Sequence, residues 1–222
     1  AIKWFDRSVE AGQGFDASMA AVSLLMGQRR FDEVGERLSA MDLRYPDQHL
    51  RLLLAKAELS SQQGNHQQAY DELTRALGEV PDNRDVLYAR ALVAERLDKL
   101  DVLEADLQKI LQKNSDDVGA LNALGYSLAD RGLRLDEAAK YLGKAMSLEP
   151  DEAVIIDSYG WLLFKQGQFE QALDYLKRAY AKQAENEIAA HIAEVLWSMG
   201  NQKEAREFFE GVFKKTPEDE YL

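Results

Sequence analysis

The chain contains no cysteine. Disulfides, thiolate nucleophiles and cysteine metal sites are thereby excluded, although no compartment is fixed. It has four prolines in 222 residues, too few to interrupt a largely helical chain. No apolar run approaches the roughly 20 residues that span a bilayer, so no direct membrane insertion is expected. The opening Ala1-Ile2-Lys3-Trp4-Phe5-Asp6 is already amphipathic rather than a secretory leader. Positive charge is short as well. Asp and Glu outnumber Lys and Arg by 39 to 27, for a net charge of −12. Phosphate backbones and anionic lipid need the opposite field, so no nucleic acid partner is expected. There is no glycine-rich phosphate loop, nucleophile elbow or Cys/His constellation. No catalytic residue, no metal and no cofactor is assigned.

What is present is one pattern, written most clearly between Val118 and Asn186. Leu121, Leu124, Gly125 and Leu128 recur at helical spacing. Gly132 breaks the run, and Ala138, Leu142 and Ala145 form a second stripe ending at Pro150. The same places are then taken by Ile156, Tyr159, Gly160, Leu163, Gly167, Ala172, Leu176 and Ala179. Ala138 and Ala172 stand one period of about 34 residues apart, with helix–turn–helix inside each copy. That is the mark of the tetratricopeptide repeat (TPR). The expected fold class is all-α, with about thirteen helices and no sheet. The expected architecture is a right-handed superhelical TPR solenoid of antiparallel helix pairs, about six full repeats plus an N-terminal half repeat.

In chain order, residues 1–14 read as the second helix of a truncated repeat. Its stripe Ile2, Phe5, Val9 lacks a partner, which implies a cut from a longer chain and possible self-association through that end. Repeats follow at 15–49, 50–83, 84–117, 118–152, 153–185 and 186–219, with a tail at 220–222. The third is degenerate: Leu103 replaces a small residue and Ser115 a proline. The fourth has one extra residue in its internal turn, Gly132-Leu133-Arg134-Leu135. Gly or Ala at the helix crossing lets two backbones approach, while larger residues fill the seams. The turn glycine can end the first helix in a left-handed conformation. Asp47, Asp82 and Asp151, each beside a proline, are expected to cap the next helix.

Six such repeats resemble the TPR family over nearly the whole chain. A narrower likeness rests on Leu121-Asn122-Ala123-Leu124-Gly125-Tyr126, on Ile156-Asp157-Ser158-Tyr159-Gly160-Trp161, and on the run from Glu187 to Trp197. These resemble the C-terminal repeats of Gram-negative outer-membrane TPR lipoproteins that serve as adaptors of a periplasmic carboxyl-terminal processing protease. The resemblance implies a periplasmic location, a lipid anchor upstream of Ala1, and a scaffold that presents substrates to that protease. The segment itself leaves a cytoplasmic location open.

The resemblance also implies that the first helices of successive repeats line a concave groove. The helix face opposite the packing seam selects Asn122, Tyr126, Asp157, Trp161, Phe164, Lys165, His191, Glu194 and Trp197 as a peptide- or protein-binding groove, with Asp130 and Glu187 beside them. Trp161 and Trp197 are the expected anchors, since exposed aromatics with a few polar groups suit a peptide site. Asn122 can donate to and accept from a peptide backbone. The competing reading is that these aromatics pack inside the array. A carboxylate clamp for chaperone tails is rejected, because the matching positions Met19, Leu54, Tyr88, Asn122, Asp157 and Ala190 supply only one fitting residue. Glu187, His191 and Glu194 share a helix face but lack a zinc-enzyme spacing. Two further readings compete with the adaptor: an accessory domain of a larger enzyme, and an assembly factor for pilus, secretion or envelope machinery.

Overall fold

The computed structural model describes residues 14–213, and among them there are twelve α-helices, one short 3-10 turn and no strand. The stripe Ile2, Phe5, Val9, the proline at 217 and the tail 220–222 lie outside the described residues. None of the described helices is long and apolar enough to cross a membrane.

The chain divides into two compact units. The first, residues 1–110, holds α1 (Gly14–Gly27), α2 (Phe31–Arg44), α3 (His49–Gln62), α4 (His66–Glu79), α5 (Arg84–Arg96) and most of α6 (Leu100–Lys113). The second, residues 111–222, holds α7 (Val118–Asp130), α8 (Leu135–Leu148), α9 (Ala153–Lys165), α10 (Phe169–Lys182), α11 (Asn186–Ser198) and α12 (Gln202–Phe213). In each unit consecutive helices pair as hairpins and stack on the next pair.

The two helices of a pair are built differently. In α9 nine residues are buried, around most of the helix, because α10 covers one side and α7, α8 and α11 the others. In α10 only Ala172, Leu176 and Ala179 are buried, a single stripe with a polar face outside. A helix covered on several sides must be apolar nearly all round, whereas one with a free face need only be amphipathic. The contrast recurs between α7 and α8.

The crossing glycines carry the closest contacts. A methyl group on Gly125 would lie 2.6 Å from Leu142 Cγ, and one on Gly160 would lie 3.0 Å from Leu176 Cγ. At the internal turn Gly167 has φ 79°, Gln168 N–H reaches Leu163 O at 2.9 Å and Gly167 N–H reaches Phe164 O at 2.9 Å. This is the bonding of a Schellman stop. In the first and third repeats Arg29 (φ 55°) and Asp98 (φ 54°) occupy the same left-handed place, at a cost of about 1–2 kcal/mol for a residue with a Cβ. The extra residue of the fourth repeat is absorbed by Arg134, at φ 44° before α8.

The expected aspartate caps are corrected. Asn83 caps α5 by accepting from the amides of Asp85 and Val86, and Asp117 caps α7 by accepting from Ala120. Glu152 precedes α9 without a side-chain cap, and Asp47 lies inside the 3-10 turn Pro46–Gln48. Asp82 and Asp151 each sit one residue too early for their oxygens to cap. They accept instead from lysines of the same unit: Lys109 at 2.8 Å from Asp82 and Lys182 at 2.9 Å from Asp151. Lys144 likewise reaches Asp116 at 2.7 Å and donates to Ser115 O at 2.6 Å.

One further pair was invisible to the repeat pattern. Arg90 on α5 grips Asp106 on α6 with two hydrogen bonds of 2.8 Å, and Asp106 is almost fully buried. The bond to Asp106 holds the Arg90 guanidinium above its ordinary basicity, against the opposing effect of burial.

Candidate functional site

The site-bearing helices of the second unit are α7, α9 and α11, the first helices of three successive pairs. Their packing seams bury Leu121, Leu124, Ile156, Leu163, Ile192 and Leu196. That registration turns a polar and aromatic row to one side of each helix. Helical spacing then brings Tyr126, Asp130, Asp157, Trp161, Phe164, Lys165, Glu187 and His191 into one contact network.

Its centre is His191. The imidazole Nδ1 lies 3.0 and 3.1 Å from the two oxygens of Asp157. A carboxylate only accepts, so this nitrogen carries the hydrogen and donates it. Nε2 lies 3.5 Å from the Tyr126 hydroxyl, which donates to Glu187 Oε1 at 3.3 Å. Burial, reinforced by the charge of Glu187, pushes the Tyr126 phenol well above its ordinary value. The phenol therefore stays neutral and serves as a donor.

Trp161 forms the second layer. Its indole stacks on His191 with centroids 4.0 Å apart and planes 18° from parallel, and on Phe164 at 4.8 Å. Its Nε1 donates to Asp130 Oδ1 at 3.0 Å. Lys165 Nζ lies 4.7 Å from the indole centroid and 3.7 Å from the same carboxylate oxygen. Phe164 continues to Phe169 at 5.7 Å and joins the apolar core of this unit.

The expected groove residues thus divide. Asp157, Trp161 and His191 are buried, with Trp161 only 3% exposed. Trp161 is not an open anchor: the helix of the next repeat lays His191 across its face. For this residue the packing alternative holds. Tyr126, Phe164 and Lys165 are half-buried edges of the network. Asn122 presents less than expected, since its Oδ1 is buried and receives no hydrogen bond among the described residues. Glu194 is exposed, and Trp197 is 46% exposed with the Arg206 guanidinium 5.8 Å from its ring. Among the described residues no group of three or more His, Asp or Glu side chains could hold a metal ion.

A general base must reach the proton it removes. His191 is 7% exposed; its Nδ1 hydrogen is committed to Asp157 and its Nε2 faces the Tyr126 hydroxyl inside the protein. The Asp157–His191–Tyr126 chain accordingly works as a strut. It ties one residue of α7, one of α9 and one of α11, each from a different repeat, into a fixed spacing.

The comparisons with known proteins agree with this architecture. Residues 163–222 match the family model described as tetratricopeptide repeat. A TPR repeat-containing protein of Pseudomonas aeruginosa is 34% identical over 192 residues, which cover 85% of this chain and 32% of that protein. The chain therefore spans about a third of the length of this relative. Among solved structures, a thermophilic TPR protein of Thermus thermophilus superposes with a TM-score of 0.70 at 23% identity, over 76% of this chain and 92% of its own. A TPR protein of Parabacteroides merdae gives 0.66 at 18% identity, over 91% and 80%. At those identities the structures bear on the fold alone. The fold is that of a TPR solenoid.

Proposed function

We propose that this chain is the protein-binding part of an outer-membrane lipoprotein adaptor that presents substrates to a periplasmic carboxyl-terminal processing protease. The reading rests on the repeat architecture and on the likeness of the α7, α9 and α11 sequences to such adaptors. The observation that carries the binding role is the division within the aromatic row. The buried half, around Trp161 and His191, ties three helices together, while Trp197, beside Arg206, and Glu194 stand exposed on α11. An exposed aromatic carried on a helix that is itself fixed by cross-repeat contacts suits an anchor, because less ordering cost is met on binding.

The test uses the longer native protein and the purified protease in a biosensor titration. Trp197→Ala is expected to weaken binding about thirtyfold, the usual cost of removing an aromatic anchor. Lys177→Ala, on the exposed face of α10, should leave it unchanged. Wild-type affinity for Trp197→Ala would remove this surface from the interface, and no binding by the native protein would remove the adaptor reading itself.

A further inference from the structure

We propose that the second unit contains a lock that skips a repeat: α7 holds α11 directly, past the α9 helix between them. In a solenoid each repeat touches only its neighbours, so stability is close to a sum of single-repeat and nearest-neighbour contributions. The neighbour links are present here. Trp161 of α9 donates to Asp130 of α7 at 3.0 Å, and His191 of α11 donates to Asp157 of α9 and stacks on Trp161 at 4.0 Å. A third link runs past α9, which packs on both α7 and α11. The Tyr126 hydroxyl of α7 donates to Glu187 Oε1 of α11 at 3.3 Å and lies 3.5 Å from His191 Nε2. The phenol and imidazole rings stand 6.2 Å apart. Tyr126 and Glu187 are 61 residues apart in the chain, so a whole helix pair, α9–α10, lies between them in sequence.

The three links close a triangle. In a linear series of contacts, breaking one link frees whatever lies beyond it. In a triangle each helix is tied to both others, so none leaves without breaking two links. Tyr126 suits the closing position for two reasons. Its side chain is long, and Glu187 and His191 meet its hydroxyl from α11. Burial also keeps the phenol protonated, so its hydrogen stays available to Glu187. A bond of this kind to a carboxylate is stronger than one between neutral groups. The consequence is a direct coupling between the fourth repeat and the sixth. Whatever loosens α11 weakens α7 as well, and the coupling is reciprocal. The lock does not depend on what the chain binds.

Native-state hydrogen exchange, read by mass spectrometry on the 222-residue chain, tests the lock through a double-mutant cycle. Tyr126→Phe keeps the ring and removes only the hydroxyl. Although the change is on α7, it should speed exchange of the slowest α12 amides about tenfold, the factor expected for one hydrogen bond to a charged group. Glu187→Ala, on α11, should speed exchange of the α8 amides by a similar factor. The double variant should be no faster than the faster of the two single ones. Gly125→Ala is the control, because its added methyl meets Leu142 inside the α7–α8 hairpin. Combined with Glu187→Ala, its effect should multiply. Wild-type exchange of α12 in Tyr126→Phe overturns the proposal. So do effects of Tyr126→Phe and Glu187→Ala that multiply as those of the control pair do, since the two residues would then act separately.

Discussion

The His191 imidazole lies flat on the Trp161 indole, with centroids 4.0 Å apart and planes 18° from parallel. The two residues belong to different repeats, so the contact is between neighbouring rungs of the array rather than within one. It converts an inward-facing tryptophan from a ligand anchor into part of the protein's own packing.

This contact sets up a comparison of the two tryptophans in urea unfolding. Trp161→Ala should cost about 3–5 kcal/mol, as expected when a buried aromatic is cut to a methyl group. It also leaves Asp130 without its indole donor. Trp197→Ala, at an exposed position, should stay within about 0.5 kcal/mol of wild type. Equal effects would mean that the burial of these side chains is wrongly assigned.

The crossing glycines give a graded series. Replacing a helical glycine by alanine favours the helix by about 1 kcal/mol, whereas overpacking costs about 1–3 kcal/mol. At Gly125 the new methyl meets Leu142 Cγ at 2.6 Å and the Leu142 backbone nitrogen at 3.2 Å, so the clash should win. At Gly160 the nearest atoms are 3.0 Å away and belong to side chains, and the two effects should nearly offset. At Gly143 nothing lies within 4 Å, so alanine there should stabilise. Thermal unfolding midpoints in the order Gly143→Ala, Gly160→Ala, Gly125→Ala, from highest to lowest, are expected. A Gly125→Ala protein as stable as wild type would refute the helix register.

The Arg90–Asp106 pair predicts an asymmetry between single and double variants. Asp106→Ala strands the Arg90 guanidinium without its main partner and should cost about 3–5 kcal/mol, the usual penalty for breaking a buried ion pair. Replacing both residues, as Arg90→Met with Asp106→Leu, should recover most of that loss. The measurement is denaturant unfolding of the three proteins. A double variant as unstable as the single would show that the pair's contribution is not electrostatic.

The lysine contacts at the repeat junctions predict a pH dependence. Lys144 beside Asp116 and Lys182 beside Asp151 hold those carboxyls below their ordinary 3.8. A depressed folded value means the contribution is fully present above the unfolded value. It is lost as pH falls through the folded one. Asp151→Asn should therefore be less stable than wild type at about pH 6, and the difference should close at a pH well below 3.8. A difference that persists unchanged in acid would mean that Asp151 acts other than through its charge.

How much of this was legible from sequence depends on how local the cause is. The helix pairs could be read because Gly125, Ala138, Gly160 and Ala172 recur with the period, and each small residue answers a close approach inside its own hairpin. The glycine stop at Gly167 could be read for the same reason, since the left-handed turn is a property of a few successive residues. The face carrying Trp161, His191 and Trp197 was also legible, because helical spacing fixes which side a residue takes. What stood opposite that face was not. Trp161 is buried because a histidine thirty residues later arrives on the neighbouring helix and stacks on it, and Trp197 is exposed beside Arg206 at the far end of the same row. Asp82 and Asp151 sit where a cap was expected, yet their partners are lysines about as far along the chain. Periodicity assigns a side chain its direction. Only the packing of the next repeat decides what it meets there, and therefore whether it binds a ligand or holds the fold.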